Sequence, residues 1–201
     1  MKNISILDRI LLLITVLLAA YQISYGLYSL NPLATWSYTV GFGVLVVASL
    51  LLIILGFEGL ESQLVVIVSS LIPLSISLGL VAEHLPQFTI PYLVFAILGF
   101  AAIAITRYTV EGKTATTVLA VTHGIAGSLI TFLPIVLSLQ GTVSADYILV
   151  GLGGAMIGVG GLLLAFLKAG KPILSQKTIL TLLPILLLLM TGAFVYGFAF
   201  R

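Results

Sequence analysis

Apolar residues form long runs along this chain, and most polar residues lie in the short stretches between them. Each run is close to the ~20 residues that an α-helix needs to cross a bilayer. Because a backbone in lipid must satisfy its own hydrogen bonds, the runs are predicted to be helices. The pattern predicts an all-α membrane bundle of seven transmembrane helices in a single domain, at about Ile10–Leu30, Trp36–Phe57, Gln63–Val81, Ile90–Thr106, Thr117–Leu139, Tyr147–Leu167 and Thr178–Phe200.

The sixth run is exceptional for its glycine content. Six glycines fall between Gly151 and Gly161, and Gly154 and Gly158 form a GxxxG pair. In a membrane helix, small residues at this spacing allow a neighbouring helix to approach closely. The sequence therefore predicts helix packing at Gly154 and Gly158, and a sixth helix at the centre of the bundle.

A repeat is visible after the first run, since tyrosines mark the start of the second, fourth and sixth runs and prolines in leucine-rich settings mark their partners. The tyrosines are Tyr38, Tyr92 and Tyr147, and the prolines are Pro73, Pro134 and Pro184. This spacing predicts one leading helix followed by three helical hairpins. The alternative is coincidence, because tyrosine at membrane interfaces and leucine around proline are both common.

Composition agrees with a membrane location and removes several functional classes. The chain is 61% hydrophobic and 7% charged, whereas soluble domains average about 25% charged residues. It contains no cysteine, which excludes disulfides and thiolate chemistry. The net charge of +2 comes without a basic run, so no nucleic-acid partner is expected.

The basic residues predict an orientation. With seven spans, every Lys and Arg except Arg201 falls on one side of the membrane: Lys2, Arg9, Arg107, Lys113, Lys168, Lys171 and Lys177. The positive-inside rule then places the N-terminus in the cytoplasm and the C-terminus outside a cell membrane. The first run is expected to be a retained span rather than a signal peptide, because bulky tyrosines occupy the positions where cleavage needs small residues.

His123 is the clearest ionisable residue inside a predicted span. Intramembrane ionisable groups commonly mark functional sites, and Gly124 and Gly127 beside it leave room for a ligand or a close helix. Depth along the helices predicts that Gly160, Gly161 and Pro184 lie level with it. These residues form a candidate ligand-binding or pore-lining site, and the alternative is a neutral histidine that bonds to its neighbours.

Cofactor and enzyme chemistry find little support in the sequence. The second histidine, His84, differs from His123 in depth by ~20 Å along the helix axes, too far for both to bind one haem iron. Glu83 and His84 fall short of a metal site and are expected to form a solvated helix end. Nucleotide-binding and hydrolase motifs are lacking. We therefore expect no cofactor and no catalytic activity.

Three functions remain open. The first is a structural or accessory subunit of a larger membrane complex, indicated by short loops and uniformly apolar helices. The second is a channel or transporter for a small solute, built from hairpin repeats and lined by the His123 site. The third is binding of a quinone or another lipid near His123. Expected partners are membrane lipids and either other membrane subunits or further copies of the chain.

Overall fold

The computed structural model describes residues 4–25, 31–110, 113–168 and 172–200. In these residues the chain is helical, and seven helical segments are long and apolar enough to span a membrane. The predicted all-α transmembrane bundle is therefore confirmed. Its helices are α1 (Ile6–Tyr25), α2 (Pro32–Leu55), α3 (Gln63–Ser69), α4 (Leu71–His84), α5 (Thr89–Thr109), α6 (Lys113–Leu139), α7 (Ile148–Lys168) and α8 (Gln176–Ala199).

Polar residues fix where several helices begin. Ser5 and Asp8 form a capping box at the start of α1, in which the Asp8 carboxylate accepts from the Ser5 amide at 2.9 Å. Asn31 caps α2, accepting from the amide of Leu33 at 3.0 Å, and Pro32 follows at the first helical position. Ser175 caps α8. These short polar stretches interrupt the apolar runs and so set the helix boundaries.

The third span consists of two helices, α3 and α4, that meet at Ser70. Pro73 lacks the amide that would bond to the Ser69 carbonyl one turn earlier, which explains a break at this point. After the break, every residue from Ile72 to Ala82 is buried. The third span is therefore the most enclosed in the bundle, with 67% of its most apolar window buried.

Helix contacts form a ring. In order around it, α1 packs against α2, α2 against α4, α4 against α6, α6 against α7, α7 against α8, and α8 against α1. The remaining span, α5, packs outside the ring against α3, α4 and α6. The leading helix and the three hairpins are present, since α2 contacts α4, α5 contacts α6 and α7 contacts α8.

The two ends of the bundle differ in composition. At one end Tyr38 and Tyr147 lie against α4 and Phe198; we call it the tyrosine end. At the other end Phe57 packs with Leu180 and Leu183. The ends of α1, α5 and α8 on this side carry Arg9, Arg107 and Lys177, and we call it the basic end. Of the cations behind the predicted orientation, Lys2, Lys171 and Arg201 lie outside the described residues, as do the side chains of Lys113 and Lys168.

One expectation about packing is corrected. The sixth span is not central, because only 28% of its most apolar window is buried. Glycine permits a close approach but supplies no side chain to bury, so a glycine-rich helix need not be enclosed. The three prolines of the repeat lie at different depths. We call the halves of the bundle nearer these two ends the tyrosine half and the basic half. Pro73 lies near the middle of the third span, Pro134 in the tyrosine half of α6 and Pro184 in the basic half of α8.

Candidate functional site

The three tyrosines of the repeat converge on α4. The Tyr38 hydroxyl donates to Glu83 Oε2 at 2.9 Å, and the Tyr92 hydroxyl donates to Ser77 Oγ at 2.7 Å. The Tyr147 hydroxyl lies 3.0 Å from His84 Nε2. These tyrosines come from α2, from α5 and from the short turn before α7, so α4 carries a polar contact to three neighbouring segments.

Close packing surrounds these bonds. Tyr38 and Tyr147 are fully buried, and the ring of Phe198 lies 4.8 Å from that of Tyr38 and 5.9 Å from that of Tyr147. Gly79 allows the Tyr38 ring to lie directly on α4, since a Cβ at this position would collide with the ring. The prediction that Glu83 and His84 form a solvated helix end is therefore wrong. Both are half-buried and bonded to buried tyrosines.

Sequence reasoning missed this network, although its signals were present. The regular tyrosines and the adjacent Glu83 and His84 all belong to the same end of the bundle. Asn31 adds a further link there, because its side-chain amide donates to the Ala82 carbonyl at 2.8 Å. Since these polar groups bond to one another across helices, the network is suited to holding the helices together rather than to binding a ligand.

Helices α6 and α7 pack tightly in the tyrosine half. A Cβ placed at Gly154 would lie 2.7 Å from Ile130 Cγ2 and 2.9 Å from backbone atoms of α6. A Cβ at Gly151 would lie 2.5 Å from the Thr131 carbonyl oxygen. Each distance is shorter than a carbon contact tolerates, so only glycine fits. Gly154 thus makes the helix contact that the GxxxG pair predicted.

In the basic half, the facing sides of α6 and α7 lie farther apart. Gly158 and Gly161 continue the Gly151–Gly154 stripe of α7, and Gly124 and Gly127 continue the Thr131 stripe of α6, at helical spacing. At all four glycines, a Cβ would meet no described atom within 4 Å. We call this open space the glycine cleft. Gly158 is exposed and does not make the helix contact predicted for it within the described structure.

His123 lies beside this cleft. It comes about two turns before Ile130 on α6, and the antiparallel pairing of Ile130 with Gly154 brings it level with Gly161. Its ring lies near the Leu119 carbonyl on the same helix. Nevertheless, His123 Nδ1 is buried and makes no hydrogen bond of ordinary geometry to any described residue.

The structure divides the predicted His123 site between two interfaces. His123, Gly124, Gly127 and Gly161 lie along the glycine cleft. Gly160 instead faces α8, where a Cβ would lie 3.9 Å from Leu186, and Pro184 is buried on α8 itself. The predicted depths are consistent with this arrangement, but helix rotation turns Gly160 away from α6.

Metal-binding side chains do not cluster in the described part of the chain. No group of three or more His, Cys, Asp or Glu residues is placed to hold a metal ion there. His84 lies at the tyrosine end, whereas His123 lies in the basic half, so the geometry does not allow them to share one haem iron.

Comparison with known proteins adds no further assignment. No protein-family model matches the chain, and neither a curated protein nor a solved structure is significantly similar to it.

Proposed function

We propose that this protein is a non-catalytic subunit of a larger membrane complex, and that a transmembrane helix of a partner subunit lies in the glycine cleft. The observation that carries the proposal is the open space at Gly124, Gly127, Gly158 and Gly161. Glycines on facing stripes expose helix backbone, which is the surface that close helix association in membranes uses. This chain fills the equivalent space in the tyrosine half with Ile130 and Ile135 but leaves it empty in the basic half.

The filled interior favours a subunit over a channel. Tyr38, Phe42, Ile76 and Phe194 come from three helices of the ring and are fully buried in one hydrophobic cluster. A conduction path needs polar or water-accessible positions along its length. Side chains of this size and apolarity at the centre of the ring offer no such positions, so transport through a single copy is disfavoured.

The partner test begins with gentle extraction of the tagged protein from its native membrane and identification of what co-purifies. Gly158→Leu fills the cleft without touching the described core, so it should leave the protein folded and release the partner. Gly43→Leu is the matched control, because Gly43 is also open but lies on α2, away from the cleft. If the wild type purifies as a single copy, or if Gly158→Leu retains the partner, the proposal is wrong. A partner identified as a second copy would make the complex a homo-oligomer.

Binding of a lipid-soluble molecule such as a quinone is the second candidate. It is favoured by one observation: the buried His123 Nδ1 makes no hydrogen bond of ordinary geometry to a described residue. A quinone carbonyl could accept from this nitrogen. Quinone titration of the purified protein checks this: His123→Leu should abolish binding and His123→Gln should retain part of it. Equal binding by the wild type and His123→Leu would exclude the histidine as the contact.

For orientation, we propose a cell-membrane location with the N-terminus in the cytoplasm. The proposal rests on the bias of Lys and Arg toward the basic end. Single cysteines can report it cleanly because the chain has none of its own. In intact cells, an impermeant thiol reagent should label Thr142→Cys, at the tyrosine end, and not Lys113→Cys. Labelling at Lys113→Cys alone would reverse the orientation.

A further inference from the structure

A pocket of about 540 Å³ lies at the basic end, between the start of α3, the end of α5 and the first turn of α6. Its polar lining includes Gln63, Arg107, Thr109 and Thr116. Its volume is in the range of pockets that hold small ligands. No carboxylate lines it among the described residues, while Glu111 in the adjacent loop lies outside them.

Arg107 provides the charge in this pocket. Its side chain is half-buried, and its Nε is shielded from solvent without a hydrogen-bond partner among the described residues. A charged donor that is buried and unpaired is costly. A guanidinium presents several donors in a planar fork that matches the oxygens of phosphate groups. Among the described residues the pocket therefore offers the Arg107 guanidinium no anionic acceptor, and the pocket has room for one.

Other groups in the pocket suit the same ligand. Ala115 and Thr116 belong to the first turn of α6, where backbone amides without intrahelical partners and the helix dipole favour anions. Gln63 is exposed and carries an amide donor, whereas the Thr109 hydroxyl already donates its hydrogen to the Ile105 carbonyl at 2.8 Å and is not counted among the donors. A tetrahedral phosphate can reach several such donors at once, whereas a carboxylate offers two oxygens.

The position of the pocket is also informative. Arg107 lies in the last turn of a membrane-spanning helix, and Tyr108 beside it is 66% exposed. Aromatic residues at a span end mark the level of lipid headgroups. Leu64 follows the lining residue Gln63 in sequence, and Ile105 lies two residues before Arg107; both are exposed apolar side chains that acyl chains could cover.

We propose that this pocket binds a phosphate group, with Arg107 as its principal contact. The phosphate belongs either to an anionic phospholipid headgroup or to a free phosphate ion. This inference is independent of the glycine cleft and of the proposed subunit role.

The experiment uses the purified full chain in detergent and two probes, short-chain phosphatidylglycerol and inorganic phosphate, with phosphatidylcholine and acetate for comparison. Binding is followed by native mass spectrometry and by the shift in unfolding temperature. Arg107→Gln should weaken binding at least about tenfold, because it removes a charge-assisted hydrogen bond. Arg9→Gln is the matched control, since Arg9 is an exposed cation at the same end and does not line the pocket; it should bind like the wild type.

The outcomes distinguish the two phosphate sources. Binding of phosphatidylglycerol alone supports a lipid headgroup, and binding of inorganic phosphate supports a free ion. If Arg107→Gln fails to fold, Thr116→Val, at an exposed position of the pocket, should still weaken binding about threefold or more through loss of one hydrogen bond. The proposal is overturned if the wild type binds neither probe, if acetate competes as well as phosphate, or if the folded pocket variants bind as tightly as the wild type.

Discussion

The tyrosine half and the basic half of this bundle differ at several of their glycines and at their buried polar groups. In the tyrosine half, Gly79 and Gly154 lie against neighbouring helices with no room for a Cβ. In the basic half, Gly124 and Gly158 face open space. At these four positions glycine serves close packing within the chain in one half and leaves helix surface uncovered in the other, although Gly43 and Gly192 in the tyrosine half are also open.

Polar side chains show the same division. Tyr38 and Tyr147 find hydrogen-bond partners on α4. Within the part of the chain that the structure describes, three buried side-chain polar atoms lack a partner: Ser49 Oγ, Arg107 Nε and His123 Nδ1. All three lie in the basic half. Because unpaired buried polar groups are costly, we infer that the tyrosine half stabilises the fold and that the basic half makes contacts with other molecules.

A large side chain at a glycine position that has no room for a Cβ should have the largest effect on the free energy of unfolding. Gly79→Leu drives a side chain into the Tyr38 ring and displaces the tyrosine from Glu83, so it should lower the free energy of unfolding by about 3 kcal/mol or prevent folding. Gly43→Leu, at an open position on α2, should change it by about 0.5 kcal/mol or less. Unfolding in mixed detergent micelles measures both. Equal losses would show that the space around each glycine does not control stability.

The next largest difference in stability is expected between substitutions at the two histidines. His84→Leu leaves the buried Tyr147 hydroxyl without this partner and should cost about 2 kcal/mol. His123→Leu removes a nitrogen that has no described partner, so its cost should stay within about 1 kcal/mol. The same unfolding measurement compares them. A larger loss at His123 would mean that its ring is a structural element of the bundle.

The smallest effects should come from single hydroxyl groups. Tyr38→Phe removes a hydrogen bond to a carboxylate and should cost about 1.5 kcal/mol. Tyr108→Phe, at a side chain that is 66% exposed, should change stability by about 0.5 kcal/mol or less. If the two variants unfold together, the Tyr38–Glu83 bond contributes nothing to the fold.

The number of spans and their helical character followed from the sequence, because the bilayer sets a length that apolar runs must meet. Which span is the most buried could not be predicted correctly from the sequence. Glycine content pointed to α7, yet the serines of the third span, including buried Ser70, Ser75 and Ser77, were the better signal. Hydroxyl-bearing residues inside a membrane helix are commonly placed against other helices. The hydroxyls of these three serines are satisfied by carbonyls of the same span, which allows the serines to be buried.

The depth of the candidate site residues along the bundle could be predicted from the sequence. The direction that each residue faces around its helix could not. Helical rise places His123 level with Gly160 and Gly161 from the numbering alone. Which of the two glycines faces α6 depends on how α7 is turned, and that is decided by contacts such as Ile130 with Gly154. The Arg107 pocket was not predicted either, because one of its lining residues, Gln63 of α3, is distant in sequence from the ends of α5 and α6 that supply the others.

Two glycines one turn apart on α7 test the division of the bundle most directly. Gly154 is closed against Ile130, and Gly158 opens into the glycine cleft. The decisive measurement is the free energy of unfolding of Gly154→Leu and Gly158→Leu in the same detergent micelles. We expect Gly154→Leu to lose about 2–3 kcal/mol and Gly158→Leu to stay within about 0.5 kcal/mol of the parent. Equal losses, or a larger loss at Gly158, would contradict the account.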